Sequence, residues 1–328
     1  MKGGANIMDY AIRTERLTKY YGGRKVVDHL DLRIPYGTVY GLLGRNGAGK
    51  STTLKMLTGM VRPDYGRIEL LGEDVETLSP ATRARIAYLA EGHPLYTGMT
   101  VRQAVDFTLS FYPNADRRFV KMILDHFALS PKAKIGRLSK GQRAQVSLAL
   151  ALAPDPELLI LDDPTLGLDT NVRRDFLESM IQIIQRRGRT ILFSSHVLGD
   201  VERVADRVGV MIDGVLRVDC PAEQFKSSVR KVVAEFGREP PEVPPCAGLL
   251  SDWRVGTRRE LVFVGYGPRQ RAAVEALSPC RVEIVELNLE DAFIEYTRGP
   301  RRSLPIFTQI PSAIQGGVDE SIGIEGAA

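Results

Sequence analysis

Between residues 9 and 40 apolar and polar positions alternate, broken by the turn signals Tyr21-Gly22-Gly23 and Pro35-Tyr36-Gly37. A period of two predicts antiparallel strands. Val39-Tyr40-Gly41-Leu42-Leu43 is a short apolar run and predicts a buried strand. Ser51 to Met60 reads as a helix with Leu54, Met56 and Leu57 as its apolar positions, and residues 64–75 add a hairpin-like piece. Ile86 to Leu89 predicts a strand that ends at Glu91. From Thr100 to Pro154 the period becomes helical, over Val101 to Phe111, Arg117 to Phe127 and Lys140 to Ala153. Leu158 to Leu161 and Thr190 to Phe193 read as buried strands on either side of an amphipathic helix from Asn171 to Arg187. Strands alternating with helices predict a parallel sheet in an α/β domain.

A second, smaller pattern follows. Strands are predicted at Lys231 to Phe236, Glu260 to Tyr266 and Arg281 to Leu287, with helices at Arg269 to Leu277 and Glu290 to Thr297. The proline-rich run from Arg238 to Gly248 reads as a linker or edge loop inside this module. Residues 299–328 carry few large apolar side chains and many Gly, Ser and Pro, so a disordered tail is expected. The whole chain, at 328 residues, suits about two domains.

Charge changes this picture little. The formal net charge is +4 with acids and bases interleaved, which gives no reason to invoke nucleic acid. Arginine pairs at Arg117-Arg118, Arg173-Arg174, Arg186-Arg187, Arg258-Arg259 and Arg301-Arg302 read as solvated faces, with a membrane-surface or nucleic-acid role as the alternative. Cys220, Cys246 and Cys280 are far apart and lack histidines at metal spacing, which predicts free thiols in a reducing compartment. No apolar run approaches bilayer length, and the N-terminus lacks the apolar stretch of a signal peptide. The expectation is a soluble, cytoplasmic chain whose membrane-spanning part, if it has one, is another polypeptide.

The chemistry is concentrated in Gly44-Arg45-Asn46-Gly47-Ala48-Gly49-Lys50-Ser51, followed by Thr52, which satisfies G-x-x-x-x-G-K-[ST]. It lies between a predicted strand and a predicted helix. That arrangement turns backbone N–H groups and a helix N-terminus toward an anion. Lys50 can reach the β- and γ-phosphates of a nucleotide, and the Ser51 hydroxyl can ligate Mg²⁺. The alternative is a glycine-rich turn with an accidental lysine. Downstream, the apolar strand Leu158 to Leu161 ends in Asp162-Asp163, and a carboxylate at such a strand tip can hold Mg²⁺. Thr190 to Ser194 delivers His196 at its end. A double acid is often only a helix N-cap region, and a lone histidine is often structural. Leu138-Ser139-Lys140-Gly141-Gln142 opens a helix, where Ser139 reads as an ordinary N-cap.

Together, in this order, these motifs resemble those of ATP-binding-cassette (ABC) ATPases over about residues 9–225. The resemblance implies an α/β P-loop NTPase fold with an antiparallel β subdomain, a helical signature subdomain at about 92–153 and a small α+β C-terminal module. The implied boundaries are an extension over 1–8, a cassette over 9–228, the module over 229–298 and the tail. It implies ATP and Mg²⁺ as ligands. Tyr21 matches the aromatic that stacks on adenine, with a core or edge tyrosine as the alternative. Gly44 to Thr52 is the Walker A loop, and Asp162 matches the Walker B aspartate. Gly167-Leu168-Asp169 matches the D-loop, and His196 the switch histidine. Leu138 to Gln142 is the signature, whose Ser139 and Gly141 reach ATP held by a second cassette. Two cassettes, expected to be identical, then sandwich two ATP molecules on a separate membrane permease. The cassette is expected to be peripheral on the inner face of the cell membrane through that permease.

Two residues depart from the family pattern. Asp163 stands where a glutamate usually polarises the attacking water. Their intrinsic pKa values differ by only about 0.4 units, so reach rather than basicity is at issue. One methylene fewer withdraws the carboxylate by about 1.3 Å, and a misplacement of about 1 Å costs on the order of 100-fold. Slow hydrolysis, or hydrolysis through an extra water, is expected. Glu91 replaces a glutamine; its oxygen can still face Mg²⁺ or the lytic water, and its charge is tolerable mainly with the metal present. The segment Gly92 to Thr100, with Leu95 and Tyr96, is expected to dock the permease; the alternative is an ordinary surface loop. Leu287-Asn288-Leu289-Glu290-Asp291-Ala292-Phe293 looks like the tail of ABC-2 type exporter cassettes. Other readings are a soluble ABC protein working on ribosomes or DNA, and a slow ATP-dependent clamp.

Overall fold

A computed structural model describes residues 10–112, 115–185, 188–298 and 307–308. The 1–8 extension, the Arg186-Arg187 and Arg301-Arg302 pairs and all of the tail but 307–308 lie outside the described residues. The chain divides into two compact units, Met1–Leu216 and Arg217–Ala328.

The first unit opens with β1 (Tyr10–Tyr21), β2 (Arg24–Leu30) and β3 (Arg33–Pro35), then β4 (Val39–Leu43) and α1 (Lys50–Leu57). β5 (Tyr65–Leu70), β6 (Glu73–Asp74), α2 (Pro80–Ala84) and β7 (Ile86–Leu89) follow. The helical stretch is α3 (Val101–Leu109), α4 (Arg117–His126) and α5 (Lys140–Leu152). Then come β8 (Leu158–Asp162), α6 (Thr170–Gln185), β9 (Thr190–Ser195), α7 (Leu198–Val204) and β10 (Arg207–Ile212). β1 pairs antiparallel with β2, β3 and β5, as the alternating pattern predicts. In the central sheet β10, β4, β9, β8 and β7 lie side by side and parallel. β4, β8 and β9 are buried along their whole length, which is why they read as unbroken apolar runs. One core joins the antiparallel layer through Ile12, Leu17 and Ile34, α1 through Leu54 and Met56, and the parallel sheet through Leu158, Ile160 and Leu192.

Register positions the chemistry. Leu43 lies beside Ser195, Asp162 beside Ser194, and Leu89 beside Leu161. The loops after β4, β7, β8 and β9 therefore leave the sheet at one edge, the carboxyl end of the strands, where open α/β sheets bind ligands.

The chain passes between the units within β11 (Val215–Pro221). The second unit has α8 (Ala222–Ser228), β12 (Val229–Glu235), β13 (Leu249–Val255), β14 (Arg258–Val264), α9 (Pro268–Glu275), β15 (Arg281–Glu286), α10 (Leu289–Arg298) and β16 (Phe307–Thr308). Its antiparallel sheet runs β13-β14-β12-β15 over a core of Val232, Ala234, Phe236, Leu261, Phe263 and Val274.

Several bounds differ from expectation. α1 stops at Leu57, three residues before Met60, because Gly59 turns the chain at φ +73°. No element was expected between His196 and Lys231, where α7, β10, β11 and α8 lie, nor a strand at β13. α7 and α8 have seven residues each, too few for a helical period to register.

Candidate active site

The loop between β4 and α1 wraps the helix N-terminus. Gly49 caps α1 at φ +103°, and a Cβ there would come within 2.5 Å of the Val26 carbonyl oxygen, so only glycine fits. Gly47, at φ +82°, faces open space. The loop borders a cleft of about 340 Å³ lined by Asn46 to Thr52 together with Val26, Glu91, Asp163, Leu166, Ser194 and His196.

Lys50 is buried, and its ammonium donates to the carbonyls of Gly44 at 2.6 Å and Arg45 at 3.3 Å. Burial pulls its pKa below the ordinary lysine range, while Asp163, Asp162 and Glu91 act in the opposite direction. Three carboxylates thus converge on one cation, and the site suits a ligand that brings a divalent metal with its phosphates.

Asp162, at the tip of β8, accepts on Oδ1 from the Ser51 hydroxyl at 2.9 Å and from the Ser194 hydroxyl at 2.9 Å. Tyr88 OH donates to its other oxygen at 3.4 Å. Ser194 in turn accepts from the Asp163 N–H at 2.9 Å. Ser194 was not foreseen; its signal was a hydroxyl at the polar end of an otherwise apolar strand. Asp163 sits at φ +44° with its carboxylate Oδ2 against His196 Nδ1, and its Oδ1 is buried without a partner. Engaging Nδ1 leaves Nε2 of His196 as the nitrogen available to the cleft. No group of three or more His, Cys, Asp or Glu is placed to hold a metal among the described residues. The hard oxygens of Ser51 and Asp162 suit Mg²⁺ that takes its remaining ligands from phosphate and water.

Other expected residues stand apart from the cleft lining. Gly44 and Arg45 contribute the carbonyls that hold Lys50. Tyr21 is half exposed at the end of β1, with Lys19 Nζ 5.5 Å from its ring centre. Leu138 to Gln142 lie at the start of α5, where Ser139 and Gln142 form a reciprocal cap. Asp169 precedes α6, and its carboxylate accepts from the Val172 N–H at 3.1 Å. None of these signature or D-loop residues lines the cleft of its own chain.

The loop after Asp163 is tied to α7. Thr165 donates to Asp200 at 2.9 Å, and both side chains are buried. Neither residue carried a motif in the sequence.

The family described as ABC transporter matches residues 27–166. The bacitracin transport ATP-binding protein BcrA of Bacillus licheniformis is 35% identical over 226 residues, 68% of this chain and 74% of that protein. The Nod factor export ATP-binding protein I of Burkholderia lata is 32% identical over 287 residues, 85% of this chain and 94% of that protein. A solved ATP-binding subunit of an ABC transporter superposes with a TM-score of 0.60 at 26% identity, covering 66% of this chain and 92% of that one. With the glycine loop, Asp162 on the Ser51 hydroxyl and His196 gathered at one sheet edge, the chain belongs to the ATP-binding proteins of ABC transporters, a family of ATP hydrolases.

Proposed function

We propose that this chain is the ATPase subunit of an exporter, two copies of which clasp two ATP molecules head to tail beneath a separate membrane permease. The observation that carries it is the separation of half-sites. Lys50, Asp163 and His196 border the cleft, whereas Ser139 and Asp169 are exposed and do not line it. A cleft that lacks its signature is completed by a second copy.

In this reading Gly44 to Thr52 cradle the phosphates, and Tyr21 stacks on the base. Ser51 and Asp162, with Glu91 nearby, hold Mg²⁺, which neutralises phosphate charge when bound. Asp163 Oδ1 orients the attacking water, and His196 Nε2 faces the γ-phosphate. Ser139 at the N-terminus of α5 offers N–H groups and a favourable dipole to the γ-phosphate of the partner's ATP. ATP acts as part of the interface, and its hydrolysis shifts the population toward the open pair. The names of the relatives, bacitracin transport and Nod factor export, support transport and export.

Permease docking is assigned to Gly92 to Thr100. A second cleft of about 310 Å³ opens there between Leu95, Tyr112 and Leu150, and Tyr96 is 69% exposed beside it. Among the described residues no helix is long and apolar enough to cross a membrane, in keeping with a separate permease.

The test is light scattering of the Asp163→Asn variant with excess ATP and Mg²⁺. A dimer that dissociates on ATP removal is expected. A chain that stays monomeric, with permease supplied, overturns the reading.

A further inference from the structure

The first turns of α5 and α6 are built alike. Leu138-Ser139-Lys140-Gly141-Gln142-Arg143 and Leu168-Asp169-Thr170-Asn171-Val172-Arg173 place a leucine, a capping oxygen and an arginine at matching positions. Ser139 Oγ accepts from the Gln142 N–H at 3.2 Å, as Asp169 Oδ1 does from Val172. Arg143 Nε donates to the Leu138 carbonyl at 3.1 Å, and Arg173 Nη2 to the Leu168 carbonyl at 3.1 Å. Both leucines are buried.

The two turns meet at Gly141. Its backbone is ordinary right-handed helix, so its conformation does not require glycine, and alanine is intrinsically the better helix former there. Space is the constraint: a Cβ would lie 2.6 Å from Val172 Cγ1. Val172 is β-branched and in a helix has essentially one rotamer, so its methyl cannot swing aside.

We propose that Val172 is a positioning residue for the half-site offered to the partner cassette. The contact of Gly141 with Val172 sets the separation of α5 from α6, so Ser139 and Asp169 are presented as one rigid unit. Residue 141 is glycine on account of Val172, not on account of the phosphate. The inference rests on the dimeric reading above.

The test uses the full chain in the Asp163→Asn background, with dimerisation titrated against ATP-Mg²⁺ by light scattering. Gly141→Ala is expected to weaken dimerisation about tenfold, and Val172→Ala to leave it within about threefold of the parent. The double variant is expected to regain more than about threefold over Gly141→Ala; a smaller recovery overturns the inference, because a glycine needed for the phosphate gains nothing from space at residue 172. Binding of a fluorescent ATP analogue to the monomer stays unchanged throughout, since α5 does not line that cleft. Should Gly141→Ala fail to fold alone, the double variant is expected to fold and dimerise, because Val172→Ala removes the methyl that the new Cβ meets. A double variant that also fails to fold overturns the inference. A parent that never dimerises overturns the dimeric reading itself. A parent that dimerises without rescue by Val172→Ala overturns only the role of Val172.

Discussion

Asp163 is the residue at which reach and backbone pull in opposite directions. Its motif position was legible from Asp162-Asp163 at the end of an apolar strand. Its left-handed backbone, its N–H on Ser194 and its contact with His196 were not, because all three depend on the neighbouring strand β9. Aspartate tolerates the left-handed region better than glutamate, since its short side chain bonds locally. Lengthening it should therefore separate two effects. Asp163→Glu is expected to raise steady-state phosphate release by about tenfold or more, because the carboxylate recovers reach. The same change is expected to lower the Tm, at a cost of about 1 kcal/mol for the left-handed backbone. A variant with no gain in turnover refutes the reach argument.

At the scale of elements, the fully buried strands were the most legible. Val39 to Leu43 was read at its observed bounds, because a buried parallel strand is apolar at every position. The half-buried β7 starts at Ile86 as read but ends at Leu89, short of the expected Glu91. The glycine loop lies between a strand and a helix, as its motif predicts. Illegible were the links between elements, such as the Thr165–Asp200 bond that ties the turn after β8 to α7. Single polar residues in buried positions announce no period and no motif. The burial of Asp200 has a measurable signature. Burial raises the Asp200 carboxyl above the ordinary 3.8, against the lowering pull of Thr165, Arg173 and His196, with Asp163 adding to the rise. The folded state therefore holds the proton more tightly than the unfolded one. This group's contribution to stability declines as pH rises from about 4 through the raised value. Asp200→Asn removes the ionisation and keeps an oxygen for Thr165. Its stability relative to the parent, measured by urea unfolding, is expected to increase between pH 4 and pH 8. A difference that stays flat with pH would refute the burial argument.

The whole molecule divides its labour by unit. Among the described residues, those that border the glycine-loop cleft all lie in Met1–Leu216. The proposed half-site character rests on motif resemblance rather than on composition, because a net charge of +4 with interleaved acids and bases marks no interface. Docking to a permease belongs to this scale. Tyr96 meets Phe107 edge-on at 6.3 Å, and Leu95 lines the cleft beside it. Charge-neutral substitutions at Leu95 and Tyr96 are expected to abolish transport in reconstituted vesicles while basal ATP hydrolysis stays within about twofold, as neither residue lines the glycine-loop cleft. Transport that persists would leave the docking assignment without support.

The matched caps of the two helices make the same hydrogen bond and differ in charge, one neutral and one anionic. Serine and aspartate cap helices about equally well, so Ser139→Asp should leave the melting curve of the isolated chain within roughly 0.5 kcal/mol of the parent. On the dimeric reading a carboxylate there would nonetheless face the incoming triphosphate of the twin, and like charges repel. Such a protein would be soundly folded and nucleotide-loaded, yet unable to close on a second copy.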